Sequence, residues 1–153
     1  MFSITIKRND IPQVVNSVTD KAIKNVRDNA HASREYASAI APVRTGALRA
    51  SFYVNGPQGE SDYIERVAAA LRLNPGAGIV PELQAATPGV GGLRNMFGQY
   101  SRPEAVVSSC VEYSIYLEEG TVHIAPRPTF MQSALAIEQP FIAAMKTVAN
   151  GPF

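Results

Sequence analysis

The 153-residue chain is long enough for one domain with one hydrophobic core. Its hydrophobic fraction of 46% is ordinary for a globular protein, and no apolar run approaches the roughly 18 residues of a membrane span. Cys110 is the only cysteine, which excludes an internal disulfide. Because His31 and His123 are the only histidines, a zinc site or a Ser-His-Asp triad has few residues to draw on.

Charge is distributed unevenly along the chain. Residues 1–54 carry eight Lys and Arg against four Asp and Glu, whereas residues 105–153 carry two against four. A basic face that meets an acidic face on a neighbouring copy would favour head-to-tail assembly. Solvated surfaces of either sign, or a basic lumen that faces DNA, explain the same asymmetry.

The N-terminal part predicts a strand and then a long helix. Apolar and polar residues alternate over residues 2–8, as in a half-buried strand, and no apolar signal-peptide centre is present. Asp10 and Pro12 are typical of a helix start, and apolar or small residues then recur every three or four positions to Ile40. Pro42 ends the helix. Small residues in this stripe would let another backbone approach closely: Ala22, Ala30, Ser33 and Ala37.

The middle of the chain predicts a turn at Gly46, a second strand over residues 48–54 and a helix over residues 61–73. Residues 74–103 then contain six glycines and four prolines, which is too long a segment for an ordinary connection. It is also too apolar for a disordered spacer, so we expect an arm that orders against a neighbouring subunit. The candidate contact residues of this arm are Ile79, Val80, Leu83, Leu93, Met96, Phe97 and Tyr100.

The C-terminal part predicts a third strand over residues 104–111, a short helix or turn that ends at Gly120, and a fourth strand over residues 121–125. Pro126 and Pro128 favour an extended segment. A last helix, capped by Thr129, is expected to kink near Ile137-Glu138 because of Pro140 and to end at Asn150-Gly151.

These elements predict an α+β fold in a single domain, residues 1–153. A small, mostly antiparallel sheet of about four strands is expected to pack against the long N-terminal helix and the C-terminal helix. The Gly- and Pro-rich arm at about residues 74–103 is inserted into this domain.

Three stretches together resemble a known family. Residues 41–52 read APVRTGALRASF, residues 113–121 read YSIYLEEGT, and residues 125–135 read APRPTFMQSAL. In this order they resemble the phage tail-completion and head–tail joining proteins, whose members often show A-P-V-x-T-G-x-L-x-x-S, Y-x-x-Y-x-E-x-G-T and A-R-P-F-x-x-P-A. The resemblance covers residues 10–54 and 104–149, and residues 60–103 are an insertion relative to it.

The resemblance implies a structural subunit of a virion neck or tail, assembled in the host cytoplasm. It implies a homo-oligomeric ring, commonly a hexamer, which contacts other phage neck and tail proteins and through which DNA passes without sequence-specific contacts. It implies no catalytic, cofactor-binding or metal-binding residues and no membrane association. Whether the subunit is a tail terminator, a head–tail stopper or a minor tail protein stays open.

The residues within these motifs have roles in folding. Glycine supplies backbone conformations closed to most residues, and proline ends helices and fixes chain direction. The predicted structural turn residues are Pro42, Gly46, Gly120, Pro126 and Pro128.

Two other functions are compatible with the sequence. A module that binds or gates DNA would use the basic N-terminal half, with Lys21, Lys24, Arg27 and Arg34 near helical spacing. A cysteine hydrolase would use Cys110 and His123, but a cysteine within an apolar strand is more typical of a protein core.

Overall fold

A computed structural model describes residues 11–83 and 103–151. This part of the chain is α+β, with a long N-terminal helix, a C-terminal helix and a small antiparallel sheet, as the sequence predicts. The elements in chain order are α1 (Ile11–Ile40), α2 (Ala47–Ser51), β1 (Phe52–Asn55), α3 (Tyr63–Leu73), β2 (Val106–Ser109), α4 (Ser114–Glu119) and α5 (Thr129–Asn150).

Helices α1 and α5 pack against each other along the molecule. Small residues permit this close approach: Ala30 and Ala37 of α1 are buried, and the Ser33 hydroxyl donates to the Ser133 hydroxyl of α5 over 3.2 Å. Helix α1 ends at Ile40, shortly before Pro42, as predicted. Helix α5 runs through Pro140 to Asn150.

The sheet consists of two strands in the described ranges. β1 and β2 pair antiparallel, with Phe52 opposite Ser109 and Asn55 opposite Val106. All four residues of β1 are buried because α1 and α3 also pack against this strand. The core around it contains Ala37, Ala41, Leu48, Phe52, Tyr53, Ala70, Cys110 and Val111.

Two predicted strands differ from the structure. Residues 48–51, expected at the start of the second strand, lie in helix α2, because Thr45 Oγ1 accepts the Ala47 N–H and the Gly46 carbonyl accepts the Ala50 N–H. The predicted fourth strand is a tight turn in which Thr121 and Ile124 form a single bridge. The predicted first strand, residues 2–8, lies outside the described residues.

The first third of the predicted arm belongs to the subunit's own core. Ile79 forms a bridge with Val111, and the Val80 N–H donates to the Cys110 carbonyl over 2.9 Å. The Leu83 N–H donates to the Tyr53 hydroxyl over 2.6 Å. These contacts attach the backbone of residues 79–83 to the subunit, and Ile79 packs against its core, whereas the side chain of Leu83 is 58% exposed. That Ile79, Val80 and Leu83 act between subunits stays a prediction. The other predicted arm residues, Leu93, Met96, Phe97 and Tyr100, lie outside the described residues.

Two glycine turns are confirmed. Gly46 and Gly120 have φ angles of 81° and 79°, in the region that L side chains rarely adopt. Gly46 turns the chain from α1 into α2, and Gly120 ends α4. Pro126 and Pro128 lie in the non-helical segment that leads from this second turn into α5.

Candidate functional site

The three stretches that carry the family resemblance meet in one part of the fold. The rings of Phe52 and Phe130 pack edge to face with their centroids 5.3 Å apart, which joins the first stretch to the third. The Arg127 N–H donates to the Leu117 carbonyl over 2.7 Å, which joins the third stretch to the second. Tyr113 packs against the core beneath them.

Glu118 holds α4 against the beginning of α5. Its carboxylate accepts the backbone N–H groups of Phe130, at 3.0 and 3.1 Å, and of Met131, at 3.2 Å. The first amides of a helix have no partner within the helix, and a negative charge is favoured at this end. Glu118 therefore caps α5, in place of the predicted Thr129, whose hydroxyl donates to the Arg127 carbonyl instead.

Six large apolar side chains from α4, the 121–124 turn and the first half of α5 are exposed near this junction. We call this set of residues the outer face. Soluble monomers rarely expose contiguous apolar patches of more than a few hundred Å², and larger patches mark interaction sites. With their exposed fractions, the six are Ile115 (54%), Tyr116 (58%), Val122 (97%), Ile124 (45%), Met131 (63%) and Leu135 (62%).

Helix α5 is covered on one side only. Thr129 and Ser133 are its only fully buried residues, although most of its 22 residues are apolar or small. The exposed side chains Met131, Leu135 and Ile142 are spaced by four and seven residues, so they form one stripe along the helix. The outer face therefore continues along α5 beyond Leu135.

Asp62 organises a separate cluster of charges beside β1. One carboxylate oxygen accepts from Arg34, at 2.6 Å, and from Arg66, at 3.1 Å, while the other accepts the Val54 N–H at 2.7 Å. Burial alone would raise the pKa of Asp62, but the hydrogen bonds from Val54, Arg66 and Arg34 lower it below the usual value. The cluster joins α1, α3 and β1.

The predicted basic stripe on α1 is divided between two environments. Arg27 pairs with Glu60 at 2.5 Å and donates to the Gln58 side chain, and Arg34 belongs to the Asp62 cluster. Burial would raise the pKa of Glu60, but its hydrogen bonds and Arg27 hold it below the usual value. Lys21 and Lys24 are exposed. Two of the four basic residues, Arg27 and Arg34, therefore already have acidic partners within the subunit.

Cys110 and His123 lie in different environments. Cys110 is fully buried, and this burial raises the pKa of its thiol, which opposes formation of the thiolate that a nucleophile needs. His123 lies in the exposed 121–124 turn. Within residues 11–83 and 103–151, no group of three or more His, Cys, Asp or Glu could hold a metal ion.

No protein-family model, curated protein or solved structure matches the chain. Among the helices that the structure describes, none combines the length and apolarity needed to cross a membrane.

The sequence patterns did not identify the outer face. Residues 121–125 were expected to form a fourth strand, whereas Val122 and Ile124 are exposed in a turn. The available signal was the cluster of apolar residues within the second and third motifs, from Tyr113 to Leu135, where two prolines and a glycine leave little room for a strand.

Proposed function

We propose that the chain is a structural subunit of a tailed-phage neck or tail-completion ring, which joins the tail to the head connector. One observation carries this proposal: four of the six outer-face residues lie within the second and third stretches that resemble the tail-completion family, and the other two, Val122 and Ile124, lie in the turn that joins these stretches. An assembly protein needs such a surface, because its partner covers apolar side chains that the isolated subunit leaves in water.

The size of the outer face suits a subunit contact. Six side chains that are about half exposed or more present several hundred Å² of apolar area, and a stable interface buries about 800 Å² on each partner. At about 25 cal/mol per Å², burial of this area gives a gross gain of order 10 kcal/mol. Much of that gain is offset by the lost freedom of the associating subunits. The continuation of the outer face along α5 supplies the remaining area.

A ring requires a head-to-tail contact between two different surfaces of the same subunit. In this proposal the outer face is one surface, and repetition of the contact closes the ring, commonly with six copies. The subunit docks to its neighbours in the ring and to other neck and tail proteins, and DNA passes through the lumen. It is present in the host cytoplasm during assembly and afterwards in the virion. This role requires no catalytic residue, cofactor or metal.

The test is to place a charge on the outer face. Wild-type protein should form a ring in multi-angle light scattering and negative-stain electron microscopy, and the Val122→Asp/Met131→Asp variant should be a folded monomer. Leu73→Asp is the control, because Leu73 is also exposed, at 51%, but lies at the C-terminal end of α3. Wild-type protein that is monomeric at all concentrations, or a double variant that assembles normally, would contradict the proposal.

A further inference from the structure

A cavity of about 330 Å³ opens between the C-terminal end of α1, helix α2 and the beginning of α3. Each of the three helices contributes one arginine to its wall: Arg34 from α1, Arg49 from α2 and Arg66 from α3. Glu35 and Phe52 also line the cavity. The cavity is open to solvent, and its wall carries three arginines against one acid, Glu35.

The arginines of this cavity outnumber the acids that face them. Asp62 accepts from Arg34 and Arg66, and its second oxygen is occupied by the Val54 N–H. Glu35 is the other acid, but its side chain is 73% exposed and lies 3.6 Å from Arg34. Arg49 has no acidic partner among the residues that the structure describes. The wall therefore has unused guanidinium donors and an excess of positive charge.

The guanidinium groups are also held in place. Arg49 donates through Nε to the Ala41 carbonyl and through a terminal nitrogen to the Ala39 carbonyl, both at 3.0 Å, so it caps the carbonyl end of α1. Arg34 is 16% exposed, and Asp62 fixes its direction. Because these arginine side chains are already ordered, binding of a ligand removes little further side-chain entropy. A planar guanidinium group can also donate two parallel hydrogen bonds to a carboxylate.

We propose that this cavity, named here the arginine pocket, binds a carboxylate from a second copy of the chain. The inference rests on the proposed ring, since it supplies the second surface of the head-to-tail contact. Glu119 is the carboxylate in question. It is exposed and lies three residues from both Tyr116 and Val122, so contact through the outer face carries it to the neighbour. Glu118, the adjacent acid, is occupied by the cap of α5.

Charge complementarity favours a second copy over DNA. Residues 114–135, which include every outer-face residue, carry two Glu against one Arg, so this segment has the opposite charge to the arginine pocket. A DNA backbone needs a row of free cations that follows successive phosphates. The neighbouring cation of α1, Arg27, is instead paired with Glu60.

A double-mutant cycle tests this pairing. The dissociation constant of the assembly is measured by analytical ultracentrifugation for wild type, Arg66→Ala, Glu119→Ala and the double variant. Each single variant should raise this constant about tenfold, and the double variant should be little worse than either, because both changes remove one interaction. Glu138→Ala, which removes another exposed acid on α5, is the matched control and should have little effect. Melting temperatures show that each variant is folded, and Arg66→Gln replaces Arg66→Ala if the latter unfolds.

The outcomes separate this inference from the proposed function. If wild type forms rings but the two single substitutions raise the dissociation constant independently, so that the double variant shows the product of both effects, the pairing is overturned and the proposed ring stands. Unchanged assembly of Arg66→Ala, together with weakened binding to duplex DNA in fluorescence anisotropy at low salt, would assign the pocket to a phosphate and overturn it as well. A wild-type protein that never assembles would overturn both proposals.

Discussion

Among the three glycines with positive φ in the described residues, Gly120 is the one at which substitution by Ala should lower stability most. Its φ of 79° and ψ of 178° lie in a region used almost only by glycine. A Cβ there would lie 2.8 Å from the Ile124 carbonyl oxygen, 2.8 Å from the Pro126 nitrogen and 2.9 Å from Pro126 Cδ. Two of these atoms are backbone and the third belongs to a rigid ring, so the turn itself must move. Gly120→Ala therefore has a conformational cost and a steric cost.

Two other glycines isolate the conformational cost. Gly59 has a φ of 83°, and a Cβ added there would meet nothing within 4 Å, while at Gly46 the nearest atom to such a Cβ, Leu73 Cδ1, lies at an ordinary 3.5 Å. For these two, we expect Ala to cost about 1 kcal/mol, the usual cost of left-handed backbone. For Gly120, about 1–3 kcal/mol of backbone strain and about 1–3 kcal/mol of overpacking add to roughly 3 kcal/mol or more.

Urea denaturation followed by far-ultraviolet circular dichroism measures these differences. The three variants are best compared in the assembly-deficient background, where a monomer unfolds without a subunit equilibrium. Equal m-values would show that the changes act on stability alone. If Gly120→Ala lowers the free energy of unfolding no more than Gly59→Ala does, residues 121–126 do not crowd position 120.

The remaining predictions concern three side chains. Asp62→Asn should lower the free energy of unfolding by about 1–2 kcal/mol in urea titration, because it removes the charge between two partly exposed arginines, while Glu65→Gln on the same helix should have little effect. The pKa of Asp62 is lowered in the folded protein, so the stability that its charge provides is complete above the ordinary pKa of 3.8 and is lost as the pH falls through the folded pKa. The melting temperature of wild type should therefore fall more steeply below about pH 4 than that of Asp62→Asn. Cys110→Ala should cost about 1–2 kcal/mol and leave assembly intact, and an assembly defect in the folded variant would revive a chemical role for the thiol. Glu118→Ala should cost about 1 kcal/mol through the lost cap of α5, whereas Glu119→Ala should leave the melting temperature unchanged in the assembly-deficient background.

Long periodic segments were predictable from the sequence, and short ones were not. The stripe that ends before Pro42 specified α1 over many turns, and the last helix ended at Asn150 as its Asn-Gly sequence indicated. Over residues 47–51, the alternation of apolar and polar residues also fits one helical turn with Ala47, Leu48 and Ser51 buried. Local pattern alone could not choose between the two, and the backbone turn at Gly46 decided it.

Contacts between distant segments limited the prediction of the candidate site. The composition of residues 74–83 indicated an arm, but the pairing of Ile79 with Val111 depends on a partner far along the chain. The exposure of Val122 and the cap by Glu118 likewise follow from the way α4 meets α5. The two glycine turns were predictable because their requirement is local to one residue.

The Glu118 cap has a consequence for the thermodynamics of association. By fastening α4 to the first turn of α5, this carboxylate makes the α4–α5 junction a preorganised unit, so a docking neighbour has less conformational entropy to remove. The conformational entropy of this junction is therefore lost on folding, and its loss no longer opposes assembly. Loss of the cap should therefore weaken ring formation by more than its effect on subunit stability suggests, even though every docking side chain is unchanged.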